Sequence, residues 1–297
     1  MYIEYIDFAF RKSTPILISM QEKLGKIEAK KSLGQHFLNN TSVPRAMADA
    51  GGVEKGDIVL EIGPGTGVLT RELLNRGAKV IAIEADLRAI ESLNESFKSE
   101  IIAQNLIIQH GDVRTIDLSA LGLRPSVYKL IANIPYYLSG FLFRFFLEHK
   151  IQPSNLVFLV QKEVALRIAR DKKESLLSLS IKVFGEPKYI KTVGKGNFTP
   201  PPKIDSAIIA ISGISKEKFG VLSQEDFFKI LHEGFKSKRK QLLGNLADTL
   251  DRDTLTHIFS TLDIPLDVRG EDVSLNTWLA LGEAIHTHTH PQNYPQS

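Results

Sequence analysis

Four consecutive residues, Asn133-Ile134-Pro135-Tyr136, have groups suited to chemistry on the amino group of a flat base. The amide oxygen of Asn133 and the main-chain carbonyl of Ile134 can both accept hydrogen bonds from an NH₂ group. Pro135 has no N–H and a fixed φ angle, which makes the turn stiff. Tyr136 offers a ring on which a base can stack, an interaction worth about 1–3 kcal/mol. The tetrad alone is equally compatible with a strand that simply ends in an Asn-Pro turn.

A glycine-rich segment, Glu61-Ile62-Gly63-Pro64-Gly65-Thr66-Gly67, indicates a second binding function. Glycines such as Gly63 and Gly65 let a backbone turn sharply and approach a ligand closely. Such a turn between a strand and a helix can serve a dinucleotide, a nucleotide or S-adenosylmethionine. The spacing here is Gly-X-Gly-X-Gly, whereas dehydrogenases have Gly-X-Gly-X-X-Gly.

Two acidic residues are predicted to follow neighbouring strands. Glu84 ends the second predicted strand, where a carboxylate can accept both hydroxyls of a ribose. Asp112 follows the third and can accept a hydrogen bond from an adenine amine. Because open α/β sheets bind ligands at the carboxyl ends of their strands, we expect these acids, the glycine segment and the tetrad to share one crevice.

Alternating patterns of hydrophobicity predict the elements that would position these residues. Apolar runs predict strands over 57–62, 78–83, 106–109, 129–132 and 156–160. Helical spacing predicts helices over 68–75, 86–99, 138–149 and 162–170. This alternation predicts an α/β fold, with a parallel sheet and helices on both faces. Two further strands are predicted over 189–193 and 207–211, with 197–202 as a stiff loop between them.

Beyond Ser212 the apolar residues fall at helical spacing, which predicts a small all-α domain. We therefore expect an N-terminal extension over 1–29, an α/β domain over 30–213, a helical domain over 214–286 and a disordered tail over 287–297.

Composition places the chain among ordinary globular proteins. Its 297 residues are 43% hydrophobic and 24% charged. The absence of cysteine excludes disulfides and thiolate metal sites. No apolar stretch is long enough to span a bilayer, and residues 1–20 lack the pattern of a signal peptide. We expect a cytoplasmic protein with neither a membrane association nor a metal.

The positive charge has an uneven distribution. The whole chain carries a net charge of +3, whereas residues 217–297 contain 8 Lys and Arg against 12 Asp and Glu. Within that acidic region lies one dense basic cluster, Lys236-Ser237-Lys238-Arg239-Lys240. Such a cluster forms either a solvated surface or a contact for nucleic-acid phosphates.

Seven segments in one order make the chain resemble the ribosomal RNA adenine dimethyltransferase family of the KsgA type. They are Leu33–Leu38, Glu61–Gly67, Asn133–Tyr136, Gln161–Val164, Phe198–Ser206, Phe235–Lys240 and Arg269–Ser274. The resemblance implies a Rossmann-like domain that binds S-adenosylmethionine, followed by a small helical RNA-binding domain. It also implies a monomer that makes N6,N6-dimethyladenine at two adjacent adenines near the 3′ end of small-subunit rRNA, within a pre-ribosomal particle.

The resemblance also implies a role for each matching residue. The residues implied for the cofactor are His36, Leu38, Gly63, Gly65, Glu84, Asp112 and Asn133. The tetrad would form the catalytic site, with Asn133 holding the target amine and Tyr136 stacking on the target base. Those implied for the RNA are Tyr136, Phe198 as a second aromatic wall, Lys236, Lys238, Arg239 and Lys240.

Two departures from the family pattern and three alternatives accompany this interpretation. Position 36 is His where the family commonly has Asn, and residues 173–178 replace the expected Tyr-Gly-Arg-Leu-Ser segment. The first alternative is a 23S rRNA methylase of the macrolide-resistance type, against which the Phe198–Ser206 and Phe235–Lys240 segments argue. The second is an rRNA-binding assembly factor whose methylation is incidental. The third is a nicotinamide dehydrogenase, which the glycine spacing disfavours.

Overall fold

The computed structural model describes residues 36–289, so the extension predicted over 1–29 lies outside it. The chain divides into two compact units. Of the described residues, the first unit comprises 36–165 together with Lys188–Ile214, and the second comprises Leu166–Pro187 and 215–289.

The bounds of the elements are as follows. The strands of residues 36–289 are β1 (Phe37–Leu38), β2 (Ile58–Ile62), β3 (Lys79–Glu84), β4 (Leu106–His110), β5 (Tyr128–Asn133), β6 (Asn155–Gln161), β7 (Glu186–Val193), β8 (Phe198–Thr199) and β9 (Ser206–Ser212). The α-helices are α1 (Ser42–Ala50), α2 (Val68–Asn75), α3 (Leu87–Ser96), α4 (Lys98–Ile102), α5 (Ser139–Glu148), α6 (Lys162–Ala169), α7 (Leu176–Lys182), α8 (Gln224–Gly234), α9 (Leu242–Leu246), α10 (Arg252–Thr261) and α11 (Leu275–Thr289).

The first unit is built on a seven-stranded sheet with the strand order β4-β3-β2-β5-β6-β9-β7. All neighbouring pairs among strands β2 to β6 are parallel. Strand β9 runs antiparallel to β6. The central strands are continuous apolar runs such as Ile58–Ile62 and Asn155–Gln161, nearly every residue of which is buried. Such runs are typical of parallel strands covered on both faces. The predicted α/β architecture is therefore confirmed.

The strand order places the carboxyl ends of β2, β3, β4 and β5 side by side at one edge of the sheet. Ile62 pairs with Ile83 and Glu84 pairs with His110, so these strands end within two residues of one another. The strand order changes direction at β2, with β3 on one side and β5 on the other. A crevice at such a switch point is where open α/β sheets bind ligands.

A separate two-stranded ribbon holds the N-terminal end of the described chain. Phe37 and Leu38 of β1 pair antiparallel with Thr199 and Phe198 of β8. Asn40 Nδ2 donates to Asn197 Oδ1 over 2.7 Å, which extends the connection beyond the strands. The sequence predicted only a stiff loop over 197–202, because two residues are too few for a recognisable strand pattern.

The second unit is helical and has its own core. Trp278 of α11 is fully buried, and its ring lies 5.6 Å from that of Phe235. The Trp278 Nε1–H donates to the carbonyl of Gly270 over 3.2 Å. Ser223 caps α8 and Asp251 caps α10 by accepting backbone N–H groups. The predicted all-α region is thus present.

The unit boundaries differ from the predicted domains in two places. Residues 166–187 belong with the helical unit, because the Phe184 ring packs against Phe219 and the Lys218 ammonium bonds the Lys182 carbonyl over 2.8 Å. Helix α11 continues to Thr289, past the predicted start of the tail at residue 287. Residues 290–297 lie outside the described range. Within residues 36–289, no helix combines the length and apolarity needed to cross a membrane.

Candidate active site

The glycine-rich turn after β2 forms the floor of a pocket at the carboxyl edge of the sheet. Gly63 and Gly65 line this pocket with φ angles of +65° and +55°. A Cβ on Gly65 would lie 2.9 Å from the Phe37 ring, so a larger residue would displace that ring. At Gly63, by contrast, none of the described atoms lies within 4 Å of where a Cβ would stand. A ligand can therefore approach the backbone directly at Gly63.

Glu84 connects the glycine turn to the end of β3. Its side chain is only 6% exposed and lines the pocket. Oε1 accepts the backbone N–H groups of Ala85 and Asp86 over 2.8 and 2.9 Å, and Oε2 accepts that of Gly65 over 3.1 Å. A carboxylate offers about four acceptor positions, so one position remains on Oε2. The structure thus leaves room for one direct hydroxyl contact, whereas the sequence predicted two.

Beneath this turn lies a second carboxyl group, that of Glu61, with 1% exposure. The Thr70 hydroxyl donates to Glu61 Oε2 over 2.7 Å. Burial raises the pKa of Glu61 to about 8; the nearby Glu84 adds to the rise, and the Thr70 hydrogen bond opposes it. Glu61 is therefore mostly protonated at neutral pH and does not place a second negative charge beside Glu84.

Asp112 follows β4 and is held by a neighbour that the sequence analysis did not single out. The Arg114 guanidinium donates to both Asp112 oxygens through Nε, over 3.0 and 2.9 Å. This hydrogen bonding lowers the pKa of Asp112. Arg114 itself lines the pocket. Only its spacing of two residues from Asp112 could have predicted that Arg114 holds this acid. An exposed acid–base pair at that spacing is usual on protein surfaces, so the spacing alone does not indicate a binding site.

The tetrad lies where β5 ends, as predicted. The amide Nδ2 of Asn133 donates to the carbonyl of His36 over 3.1 Å. This bond uses the NH₂ side of the amide and leaves the oxygen as the acceptor for another group. Ile134 is buried and lines the pocket, and Pro135 leads with φ −58° and ψ 130° into a short 3₁₀ turn over Tyr136–Leu138.

Tyr136 is fixed at both its hydroxyl and its ring. The hydroxyl lies 2.6 Å from the hydroxyl of Ser206, a fully buried residue at the start of β9. The His36 ring lies against the Tyr136 ring with centroids 5.8 Å apart and planes 25° apart. His36 is held in turn by its Nδ1–H, which donates to the Pro200 carbonyl over 2.8 Å. Burial raises the pKa of Tyr136, although the Ser206 hydrogen bond opposes the rise.

One pocket brings together most of the predicted site residues. Its lining includes His36, Gly63, Gly65, Glu84, Asp112 and the tetrad from Asn133 to Tyr136. It also includes residues that the sequence analysis missed, namely Phe37, Arg114 and Tyr137. Tyr137 directly follows the tetrad and is 63% exposed.

The structure places two predicted site residues elsewhere. Leu38 is 7% exposed and Phe198 is 2% exposed, and both side chains belong to the hydrophobic core of the first unit. The reason is the β1–β8 ribbon, in which side chains alternate between two faces. Leu38 and its partner Phe198 consequently lie on the face that contacts the core, whereas Phe37 lies on the opposite face and lines the pocket. His36 precedes β1 and also lines the pocket.

The basic cluster lies on a turn between α8 and α9 in the second unit. Buried Asn245 holds this turn by donating to the carbonyls of Gly234 and Ser237 over 2.6 and 3.0 Å. Lys236 forms ion pairs with Asp248 at 3.1 Å and Glu233 at 3.3 Å, and these carboxylates raise its pKa. The remaining cations of the cluster, Lys238, Arg239 and Lys240, are exposed.

The groups that line the pocket fit S-adenosylmethionine. The open backbone at Gly63 can admit the methionine part, Glu84 keeps one acceptor position for a ribose hydroxyl, and Asp112 provides acceptors near the end of β4. Among residues 36–289, no group of three or more His, Asp and Glu side chains is placed to hold a metal ion.

The sheet is mostly parallel, and one pocket at its carboxyl edge contains the glycine turn, the acidic strand ends and the tetrad. Together these features define a Rossmann-like methyltransferase that depends on S-adenosylmethionine. The family model described as ribosomal RNA adenine dimethylase matches residues 26–286. The chain belongs to this ribosomal RNA adenine dimethylase family.

Similar proteins agree with this assignment. A ribosomal RNA small subunit methyltransferase A from Dehalococcoides mccartyi is 38% identical over 276 residues, covering 91% of this chain and 94% of the relative. The Clostridium botulinum protein of the same name is 33% identical, covering 91% and 99%. A crystal structure of a dimethyladenosine transferase from Plasmodium falciparum matches with a TM-score of 0.71 and 26% identity, covering 83% and 96%.

These comparisons settle the enzyme class and the cofactor. The prediction of an rRNA adenine dimethyltransferase that uses S-adenosylmethionine is confirmed, and the nicotinamide dehydrogenase alternative is wrong. The structure of the 23S rRNA methyltransferase ErmE also matches, with a TM-score of 0.69 over 84% of this chain and 99% of that one. Its sequence identity of 23% shows a common fold alone.

Proposed function

We propose that this enzyme transfers methyl groups to N6 of two adjacent adenines near the 3′ end of small-subunit rRNA, within a pre-ribosomal particle and as a monomer. One observation carries the proposal: the tetrad and the cofactor-binding groups line a single pocket. The similarity to proteins named for the small ribosomal subunit supports the choice of rRNA.

The cofactor half of the pocket would work through groups that the fold holds in place. Bound S-adenosylmethionine supplies an electrophilic methyl group. Gly63 would receive its methionine part, Glu84 a ribose hydroxyl and Asp112 the adenine amine. The three backbone N–H groups that bond Glu84 fix its remaining acceptor before any ligand arrives.

The catalytic half would hold the target amine rather than deprotonate it. The nitrogen of an adenine amine is a weak nucleophile because its lone pair is delocalised into the ring. In the first transfer, oxygen acceptors on Asn133 and Ile134 would bind its two N–H groups, so that the lone pair can turn toward the methyl group. The new N–C bond would form as the S–C bond breaks, and the positively charged nitrogen would then release one proton to solvent. In the second transfer a single N–H group remains to be bound and then lost. The bond between Asn133 and the His36 carbonyl keeps the amide in the orientation that this requires. Positioning of this kind can supply much of a rate enhancement.

Tyr136 would hold the base itself. Its ring is fixed by Ser206 at the hydroxyl and lies against His36 on one side. The other side of the ring can stack on the target adenine, which must leave any duplex stack to reach the pocket. Phe198 would have to leave the core to act as a second wall, and His36 already lies against Tyr136.

The basic cluster would bind RNA outside the pocket. Lys238, Arg239 and Lys240 are exposed on a turn that Asn245 holds rigidly. Contacts with phosphates set the register of a protein on a nucleic acid without reading its sequence. Lys236 contributes less, since it already pairs with Glu233 and Asp248.

Methylation in vitro tests this proposal. The enzyme is incubated with labelled S-adenosylmethionine and either small-subunit particles or 23S rRNA, both lacking the modification, and the methylated adenines are mapped. We expect two adjacent dimethyladenines near the 3′ end of small-subunit rRNA. Asn133→Ala serves as the matched inactive control. Label confined to 23S rRNA would overturn the proposal and favour the macrolide-resistance type of enzyme.

A further inference from the structure

The outer side of α5 exposes aromatic rings that the core does not use. On its inner side Leu142, Phe143, Phe146 and Leu147 are buried almost completely. Phe141, in contrast, is 40% exposed, and Tyr137, four residues earlier, is 63% exposed. Exposed aromatic residues that adjoin a binding pocket commonly mark a contact surface. We call Tyr137, Phe141, Phe145 and His149 the outer aromatic face.

The members of this face follow one another at intervals of four residues. Phe141 and Phe145 lie on one side of α5, about 6 Å apart along its axis. Tyr137 precedes the helix in the 3₁₀ turn, and His149 follows its last residue. The rings of Phe141 and Phe145 are stacked, with centroids 5.5 Å apart and planes 21° apart. Phe145 and His149 are 5.8 Å apart. Phe145 thus stacks on one side of the Phe141 ring, and Phe141 is itself 40% exposed.

The outer aromatic face is continuous with the pocket. Tyr137 lines the pocket and directly follows Tyr136, which is the proposed stacking partner of the target base. Among the ring contacts of residues 36–289, none joins Tyr137 to Phe141. Tyr137 therefore does not stack on Phe141, whose ring contacts Phe145 instead.

The charges around the face fit a polyanion. Arg144 and Lys150 are exposed beside the aromatic residues, and Arg144 has a single carboxylate neighbour on the helix, Glu148 at 3.3 Å. Arg114, 56% exposed at its side chain, lies at the pocket end, where Asp112 pairs with it and offsets its charge. Aromatic rings interleaved with cations are the usual arrangement for unpaired nucleotides, whose bases stack while their phosphates meet positive charge.

We propose that the outer aromatic face binds the unpaired RNA nucleotides next to the target adenine, with one base stacked on Phe141. This inference rests on the proposed rRNA substrate and adds a second contact for it. The face would hold the strand on either side of the extruded adenine, and stacking there is independent of base identity.

Substitution of Phe141 tests this inference, because the residue lies outside the pocket. Phe141→Leu keeps an apolar side chain and removes the ring, and Phe141→Trp keeps a ring. The substrate is a stem-loop RNA with two adjacent unpaired adenines, and Ile102→Ala is the control for an exposed apolar residue elsewhere, 72% exposed on α4. We expect Phe141→Leu to raise the KM for RNA about 5- to 50-fold, with kcat within about twofold. Phe141→Trp and Ile102→Ala should stay near the wild type.

A binding measurement separates this inference from the proposed function. The same stem-loop carries 2-aminopurine next to the adenines, and its fluorescence falls when the base stacks on a ring. We expect quenching by the wild type and by Phe141→Trp, and markedly less quenching by Phe141→Leu. This experiment needs no methyl transfer, so it remains decisive even if the RNA is not a substrate. Equal quenching and equal KM in Phe141→Leu would overturn the inference, as would a change of oligomeric state in that variant, which would assign the face to a second copy of the chain.

Discussion

Replacing Glu61 by glutamine should stabilise the protein at neutral and alkaline pH. The folded protein raises the pKa of Glu61 to about 8 from the 4.5 of a solvated glutamate. Between these two values the folded state holds a proton that the unfolded state has lost, so the stability of the wild type falls as the pH rises. Glutamine cannot ionise, and its amide oxygen can still accept the hydroxyl of Thr70, which donates to Glu61 over 2.7 Å.

The size of the effect follows from the shift. Each pKa unit corresponds to about 1.4 kcal/mol. Keeping Glu61 protonated in the folded state therefore lowers the stability of the wild type by less than about 1 kcal/mol at pH 5 and by about 3 kcal/mol at pH 7. We expect Glu61→Gln to be close to the wild type at pH 5 and more stable by about that amount at pH 7. The gain should stop growing above pH 8, where the folded state also ionises.

Urea denaturation of both proteins between pH 5 and pH 9 measures this difference. Glu54→Gln, which removes an exposed carboxylate from the same unit, is the control for the loss of a negative charge. A carboxyl carbon shift of Glu61 followed by NMR would report the pKa itself. A stability difference that does not change with pH would refute the reasoning, because it would mean that Glu61 ionises equally in both states.

Three further predictions concern the cofactor, the chemistry and the RNA. Glu84→Ala should weaken S-adenosylmethionine binding by about 1–3 kcal/mol, and calorimetry showing unchanged affinity would remove Glu84 from the site. Asn133→Ala should leave cofactor affinity largely intact and lower kcat by orders of magnitude, because its acceptor acts mainly as the target nitrogen rehybridises; near-normal single-turnover rates would contradict this mechanism. Neutralising Lys238, Arg239 and Lys240 together should weaken binding to small-subunit particles and lower its salt dependence, by up to about one unit of slope per lost phosphate contact, while cofactor affinity stays unchanged; a wild-type salt slope would show that the cluster is only a solvated surface.

The sequence predicted those features that depend on a pattern within one segment. The continuous apolar runs predicted the parallel strands to within two residues. The glycine turn, Glu84, Asp112 and the tetrad line one pocket because each lies at or just after the carboxyl end of a strand. Contacts between distant segments were not predictable. The bond from Tyr136 to Ser206 joins residues 70 positions apart, and the contact of His36 with Pro200 spans 164 positions.

The direction of individual side chains was also not predictable from local sequence patterns. Family resemblance placed Leu38 and Phe198 at the site, but the pairing of β1 with β8 turns both side chains into the core. The protonation of Glu61 was likewise hidden, since it depends on burial and on the neighbouring Glu84. The assignment of residues 166–187 to the helical unit depends on packing of Phe184 that no local pattern reveals.

The β1–β8 ribbon determines when, during synthesis, the pocket can be completed. The last of the parallel strands, β6, ends at Gln161. The parallel part of the sheet can therefore assemble before the rest of the chain has emerged from the ribosome. His36 and Phe37 can be held over the glycine turn only after Phe198 and Thr199 have emerged. We therefore expect a nascent chain that ends before Phe198 to contain the glycine turn and the tetrad but not the ribbon that holds Phe37 beside them.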